Sequence, residues 1–229
     1  MSDIVLGIDT STQVCVGLAR DGEVLVSQVI GDTRSHAELV QPTIVDVLAR
    51  AGLTPADLTG IAVGMGPGPF TGLRVGIAAA GVMAQVLGIE LKRVCSLDVI
   101  GLQHCLLHDG FVSQPFIAAT DARRKELYWA AYDVYGHRTD GPFVSPPDSL
   151  PDLLVVGPGA GVHGFARPSE SDAVPSGQAT TSLTLDAGFL AAHARDLDDV
   201  GPEPLYLRHA DATPNITVKS ALTPSERSA

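Results

Sequence analysis

The sequence predicts an α/β protein of two lobes built on one plan, and three observations carry that expectation. Gly66-Pro67-Gly68-Pro69-Phe70-Thr71-Gly72-Leu73-Arg74 follows the β-branched run Ile61-Ala62-Val63 and opens an apolar run to Leu87, which reads as strand, glycine-rich turn and helix. The chain opens β-β-β, with Asp21-Gly22 as a strong hairpin signal between the second and third strands. Strand, aspartate, short turn and strand occur over residues 4–19 and again over 116–135, a weak internal repeat.

In chain order, Ile4-Val5-Leu6-Gly7-Ile8 reads as a buried strand that ends in the polar turn Asp9-Thr10-Ser11-Thr12; residues 15–19 and 23–30 supply the next two strands. Ser35 is a cap for a helix over 36–51, with Glu38 at the capping-box position and Val40, Ile44, Val47, Leu48 and Ala51 along one face. Pro42 should bend it, and Gly52 ends it before a short helix capped at Thr54. The helix over 72–87 carries a single charge, Arg74, with apolar or small residues on every side, so it should be covered all round. Its small residues Gly76, Ala80, Gly81 and Ala84 would let another helix approach closely, and in a protein of this size a partner should supply some of the cover. It is too short and glycine-rich for a convincing membrane span.

Residues 91–95 read as a strand leading to Ser96, a cap for a helix reaching about residue 108. Strands follow at 116–119 and 126–135. After Gly136 the signal thins, and the proline-, glycine- and serine-rich stretch 142–182 holds one clear strand at 153–156. A helix is expected over 185–197, a closing strand or edge over 204–208, and a polar, disordered tail from His209. The expected domains are a first lobe over 1–110, a second over 111–208 and the tail 209–229.

At 229 residues and 45% hydrophobic content the chain can bury a sizeable core, while Lys+Arg 15 against Asp+Glu 26 gives a formal charge of −11. That balance disfavours a broad nucleic-acid-binding face; if RNA is involved, another subunit should hold it. Cys15, Cys95 and Cys105 form no C-x-x-C pair, which argues against a disulfide framework or zinc ribbon. No signal-peptide pattern stands at the start, and a cytoplasmic protein is the expectation.

Several constellations could carry chemistry. Asp9-Thr10-Ser11-Thr12 has the groups of a phosphate loop, a carboxylate for a metal or its water, hydroxyl donors and a turn of N–H groups, and equally the groups of an Asx or Ser/Thr turn. The glycine stretch offers N–H groups at a helix start, yet it lacks the Lys-Ser/Thr of a P-loop and its Gly72 comes one residue late for G-x-G-x-x-G. Its other reading is a tight strand-to-helix joint packed on a neighbour. In the second lobe Asp121 is followed by Ala122 and the cations Arg123-Arg124-Lys125, where a working phosphotransferase needs a small-residue loop. His104 and His108 share a helical face without the glutamate of H-E-x-x-H or an evident third ligand, and two polar residues at a fraying helix end explain them as well. Ser35-His36 could suggest a hydrolase, but no G-x-S-x-G elbow exists.

Taken in order, Ile8 to Thr12, Ser35-His36-Ala37-Glu38, Gly66 to Arg74, Ser96-Leu97-Asp98, Asp121-Ala122-Arg123 with Glu126-Leu127-Tyr128, and Pro204 to Arg208 closely resemble the bacterial TsaB family, formerly called YeaZ. The resemblance spans about 4–208, and it departs from the usual serine at Pro69, a change expected to stiffen the turn. It implies a two-lobed fold of the actin, sugar-kinase and Hsp70 (ASKHA) type with a reduced second lobe. It also implies a place in making threonylcarbamoyladenosine beside the tRNA anticodon. There the expected role is a non-catalytic partner of the related transferase TsaD, acting with the ATPase TsaE and touching tRNA through the complex. The catalytic relative carries a metal-binding His-x-x-x-His after a Val-x strand end, where this chain has Ser96 and Ile100 after Val94-Cys95.

The expectation is therefore a pseudo-enzyme with no catalytic residue, no metal and no cofactor of its own, ATP or ADP entering only in the assembled complex. Its phosphate-loop-like residues are Asp9, Thr10, Ser11 and Thr12. Its interface is expected at His36, Val40, Ile44, Gly66, Gly68, Thr71, Gly72, Arg74, Gly76, Ala80 and Ala84, forming a helix bundle with TsaD or with a second copy of the chain. The rival is a nucleotide phosphotransferase or a glycoprotease-like peptidase. The sequence leaves open whether Arg74, Arg123 or Arg124 reaches a nucleotide or tRNA in the assembled complex.

Overall fold

The computed structural model describes residues 2–31, 36–162 and 183–208. Its first sheet takes the order β3-β2-β1-β4-β5. Strands β1 (Ile4–Asp9), β2 (Val14–Arg20) and β3 (Glu23–Ile30) form an antiparallel meander; β4 (Gly60–Gly64) and β5 (Glu90–Val94) add in parallel beyond β1. Asp21 and Gly22 take the positive φ that a two-residue hairpin turn demands.

The second sheet repeats the plan in the order β8-β7-β6-β9. Its strands are β6 (Phe116–Asp121), β7 (Leu127–Tyr132) and β8 (Arg138–Ser145), antiparallel, with β9 (Leu154–Val156) parallel to β6. Four strands in the same order, without a counterpart of β5 among the described residues, make a reduced second copy of the first lobe: a two-lobed, actin-like α/β fold. The repeat seen faintly in the sequence is thus a repeat of topology. β8 was not expected. It is an edge strand whose residues are exposed or half-buried throughout, so its sequence has no buried face to alternate with.

Helices α1 (His36–Arg50) and α2 (Phe70–Leu87) lie side by side on one face of the first sheet. They bury Val40, Ile44, Val47, Leu48, Ala80 and Ala84 against Leu6, Ile8, Val16, Ile61 and Val63. On the other face, α4 (Ala187–His193) crosses β1, β2 and β3, and α3 (Ser96–Leu106) packs towards the second sheet. One core joins the sheets there, with Cys15 and Ala62 from the first, Phe116, Ala130 and Tyr132 from the second, and Ile100 and Leu190 between. The paired Gly7 and Gly17 make room for α4: a Cβ on either would stand 2.0 Å from the Ala187 carbonyl oxygen or 2.2 Å from the Gly188 nitrogen.

The 204–208 segment forms no strand and joins neither sheet; the Leu205 N–H donates to the Met65 carbonyl instead. The Ser35 cap and the tail from His209 fall outside the described residues, as does much of the stretch expected to be irregular. All three cysteines are buried and free.

Candidate functional site

The Asp9 turn and the glycine stretch, taken separately from the sequence, form one joint. Asp9 ends β1 wholly buried; its Oδ1 accepts from the Ser11 N–H at 2.7 Å, closing an Asx turn. Its Oδ2 accepts from Ser96 Oγ at 2.6 Å, and Ser96 Oγ accepts in turn from the Gly66 N–H at 3.1 Å. Burial pushes the Asp9 carboxyl above the usual carboxylate range, opposed by its hydrogen bonds from Ser11 and Ser96. Ser96 is therefore not the cap of α3. Cys95 occupies that position without a side-chain hydrogen bond, because the serine hydroxyl is spent on Asp9.

The glycines explain the closeness. A Cβ on Gly68 would lie 2.6 Å from the Ser11 carbonyl oxygen, one on Gly76 2.4 Å from Thr10 Oγ1, and one on Gly64 1.7 Å from Asp9 Oδ2. Thr10 Oγ1 then donates to the Gly72 carbonyl at 2.8 Å. Thr10 and Ser11 are buried and Thr12 half-buried. The turn's oxygens hold the glycine stretch against β1, which is the tight-joint geometry. Pro69 is the residue before α2, and no side-chain cap bond forms there.

The side chains assigned to an interface divide sharply. Gly66 and Gly68 are buried in the joint. Val40, Ile44, Gly72, Gly76, Ala80 and Ala84 face the chain's own first sheet, so a charge at Ala80 or Ala84 would strike the core rather than a partner. Thr71 and Arg74 are exposed, and the His36 side chain lies outside the described residues. The reason is helical phase. Residues 72, 76, 80 and 84 run down one side of α2, and residues 74, 78, 82 and 86, two positions along, run down the opposite side.

That opposite side is exposed: Arg74, Ala78, Val82 at 61% and Val86 at 78%. On α1 the outward residues include Gln41, Val45 at 56% and Ala49. The two helices flank each other on one face of the sheet; the outer stripe of α2 presents an apolar surface, and beside it Val45 and Ala49 of α1 are exposed among Gln41, Asp46 and Arg50. The sequence held this signal in the four-residue spacing of Ala78, Val82 and Val86, masked by the equally regular spacing of the small residues.

Arg74 leads into a second feature. Its guanidinium lies 3.7 Å over the Phe70 ring, and its Nε donates to Tyr206 Oη at 3.0 Å. In the second lobe Arg123, Arg124 and Lys125 form the exposed β6–β7 turn.

The histidine pair is structural. His104 is buried edge-on against Phe116, and the carbonyl of His104 accepts from His108 Nδ1 at 2.8 Å. Burial, with the His108 charge second, lowers the His104 pKa to about 4. Ile100 lies in the shared core. Among the described residues no three His, Cys, Asp or Glu side chains converge as metal ligands. Asp98, on α3, accepts from Tyr132 Oη at 2.9 Å and pairs with Arg138 Nε at 3.1 Å, fastening α3 to the second sheet.

Known proteins can be set beside this geometry. Residues 24–199 match the family described as TsaD, tRNA N6-adenosine threonylcarbamoyltransferase. An uncharacterized protein of Mycobacterium tuberculosis is 42% identical over 92% of this chain and 94% of its own. The tRNA threonylcarbamoyladenosine biosynthesis protein TsaB of Escherichia coli is 35% identical, over 56% of this chain and 54% of its own. A solved structure from Pseudomonas aeruginosa, described as YeaZ, superposes with a TM-score of 0.68 at 26% identity, covering 90% of this chain and all of that one. The chain belongs to the TsaD family, among the relatives that carry the names TsaB and YeaZ.

Proposed function

We propose that the chain acts in threonylcarbamoyladenosine biosynthesis as a non-catalytic partner of a TsaD-type transferase, docking through the outer stripes of α1 and α2. The observation that carries this reading is the exposed apolar surface of Val45, Ala78, Val82 and Val86 on helices whose inner sides are already satisfied by the chain's own core. The name of the Escherichia coli relative supports the pathway, and the family match supports a TsaD-like partner.

A non-catalytic role is favoured by the joint at Asp9. The Asp9 carboxylate and the Thr10 hydroxyl, which a phosphotransferase would aim at phosphate and metal, are turned inward to Ser11, Ser96 and Gly72. Ser96 and Ile100 stand where the resemblance puts metal-binding histidines in the catalytic relative. A TsaE-type ATPase, a cytoplasmic setting and self-association through the same stripes when the transferase is absent complete the proposal.

Reconstitution tests it: transferase, ATPase, tRNA and the other required substrates are assayed for the modified nucleoside with and without this chain. The expected result is modification that depends on the chain, which alone turns over neither ATP nor peptides. Modification at full rate without it, or rapid ATP hydrolysis by it alone, would overturn the proposal and favour the phosphotransferase reading.

A further inference from the structure

Arg123, Arg124 and Lys125 all adopt left-handed backbone, with φ of 62°, 54° and 63°. Left-handed backbone is costly for a residue that bears a side chain, and neighbouring like charges repel. Three cations are thus crowded onto the exposed tip of a hairpin where glycine or asparagine would sit more comfortably. The tip is closed by the Ala122 N–H donating to the Glu126 carbonyl and the Glu126 N–H to the Arg123 carbonyl.

The 204–208 segment connects this tip to the start of α2. Tyr206 meets Arg74, and its ring lies tilted with its centroid 4.8 Å from that of Phe70; Arg208 donates to the Ala122 carbonyl at 2.8 Å and pairs with Glu126. The two residues from Tyr206 to Arg208 span at most about 7 Å, so Arg74, Arg208 and the hairpin tip share one rim. Arg74 leans on neutral groups, the Phe70 ring and the Tyr206 hydroxyl, which leave its charge in place. Five cations thus stand along this rim, Arg123 paired with Asp121 at 3.9 Å and Arg208 with Glu126, on a chain whose net charge is −11.

We infer that this rim holds the phosphodiester backbone of a structured RNA, laid across the edge where α2 meets the docked transferase. The placement beside a transferase rests on the proposed function; the charge of the rim does not. An extended polyanion suits it better than a free nucleotide, because the cations line an exposed tip and a helix start rather than converge on one point. The narrow footprint also fits a chain too acidic elsewhere to bind RNA broadly.

The test measures binding of a fluorescently labelled tRNA transcript to the chain mixed with its transferase, between 50 and 200 mM KCl, beside co-elution of the two proteins. The variant Arg123→Asn, Arg124→Asn, Lys125→Asn keeps side chains that tolerate left-handed backbone while removing three charges. Expected are unchanged co-elution, an affinity for tRNA lowered at least roughly tenfold, and a salt dependence of log K shallower by about 2. Unchanged affinity and slope with co-elution intact would overturn the inference and leave the docking proposal standing. Displacement of the tRNA by equimolar ATP would also overturn it, assigning the rim to a nucleotide. If even the unaltered chain fails to co-elute, docking fails. The same titration on the chain alone then decides the inference: a charge-dependent loss supports it, and no loss overturns it.

Discussion

The hydroxyl of Ser96 donates to Oδ2 of Asp9 across 2.6 Å, joining residues 87 positions apart in the chain. Asp9→Ala leaves the buried Ser96 hydroxyl and Ser11 N–H without their acceptor, so it should cost about 2–4 kcal/mol in chemical denaturation. If Asp9 instead served a phosphate, the variant would lose activity at unchanged stability.

The same joint makes Gly68 intolerant of any side chain. A methyl group there would meet the Ser11 main chain, which cannot swing aside as a side-chain tip can. Gly68→Ala should therefore destabilise by about 2 kcal/mol or more, while Gly81→Ala, where a Cβ meets nothing within 4 Å, should be neutral or stabilising by up to about 1 kcal/mol.

Stability should fall on mild acidification through His104. The folded ring, with its pKa lowered to about 4 against 6.5, resists the proton that the unfolded chain takes up readily. Its contribution is complete above about pH 6.5 and is lost as pH falls towards 4, a change on the order of 3 kcal/mol. Asp9 and Asp98, pushed up by burial, act in the opposite sense, because their folded forms hold a proton more readily. The readout is thus the difference from His104→Leu, which should show a flatter profile between pH 6.5 and 4.

The two sides of α2 should behave differently under charge. Ala80→Glu puts a carboxylate into the core and should unfold the chain or lower its melting temperature by more than about 10 °C. Val82→Glu with Val86→Glu, on the exposed stripe, should leave stability within about 1 kcal/mol.

Much of this architecture was legible because the strands and turns signal locally. Ile4 to Ile8 alternate between the two faces of a sheet, Asp21-Gly22 makes its hairpin, and Gly66 to Arg74 marks the strand-to-helix joint. What escaped depends on contacts far apart in the chain. Ser96 looked like a helix cap until Asp9 was brought beside it. Gly7 and Gly17 gave no hint that α4, some 170 residues later, needed their missing side chains. On α2 the small-residue stripe and the valine stripe are equally regular, and only the position of the first sheet decides which faces inward. β8 carried no periodic signal because an edge strand without a buried face has none to carry.

The most direct measurement is size-exclusion chromatography with light scattering of the chain mixed with its TsaD-type transferase, using the unaltered protein and Val82→Glu, Val86→Glu. The account predicts that the unaltered chain co-elutes with the transferase, and that the doubly substituted chain, still folded by circular dichroism, elutes apart. Co-elution of both chains alike, or of neither, would contradict it.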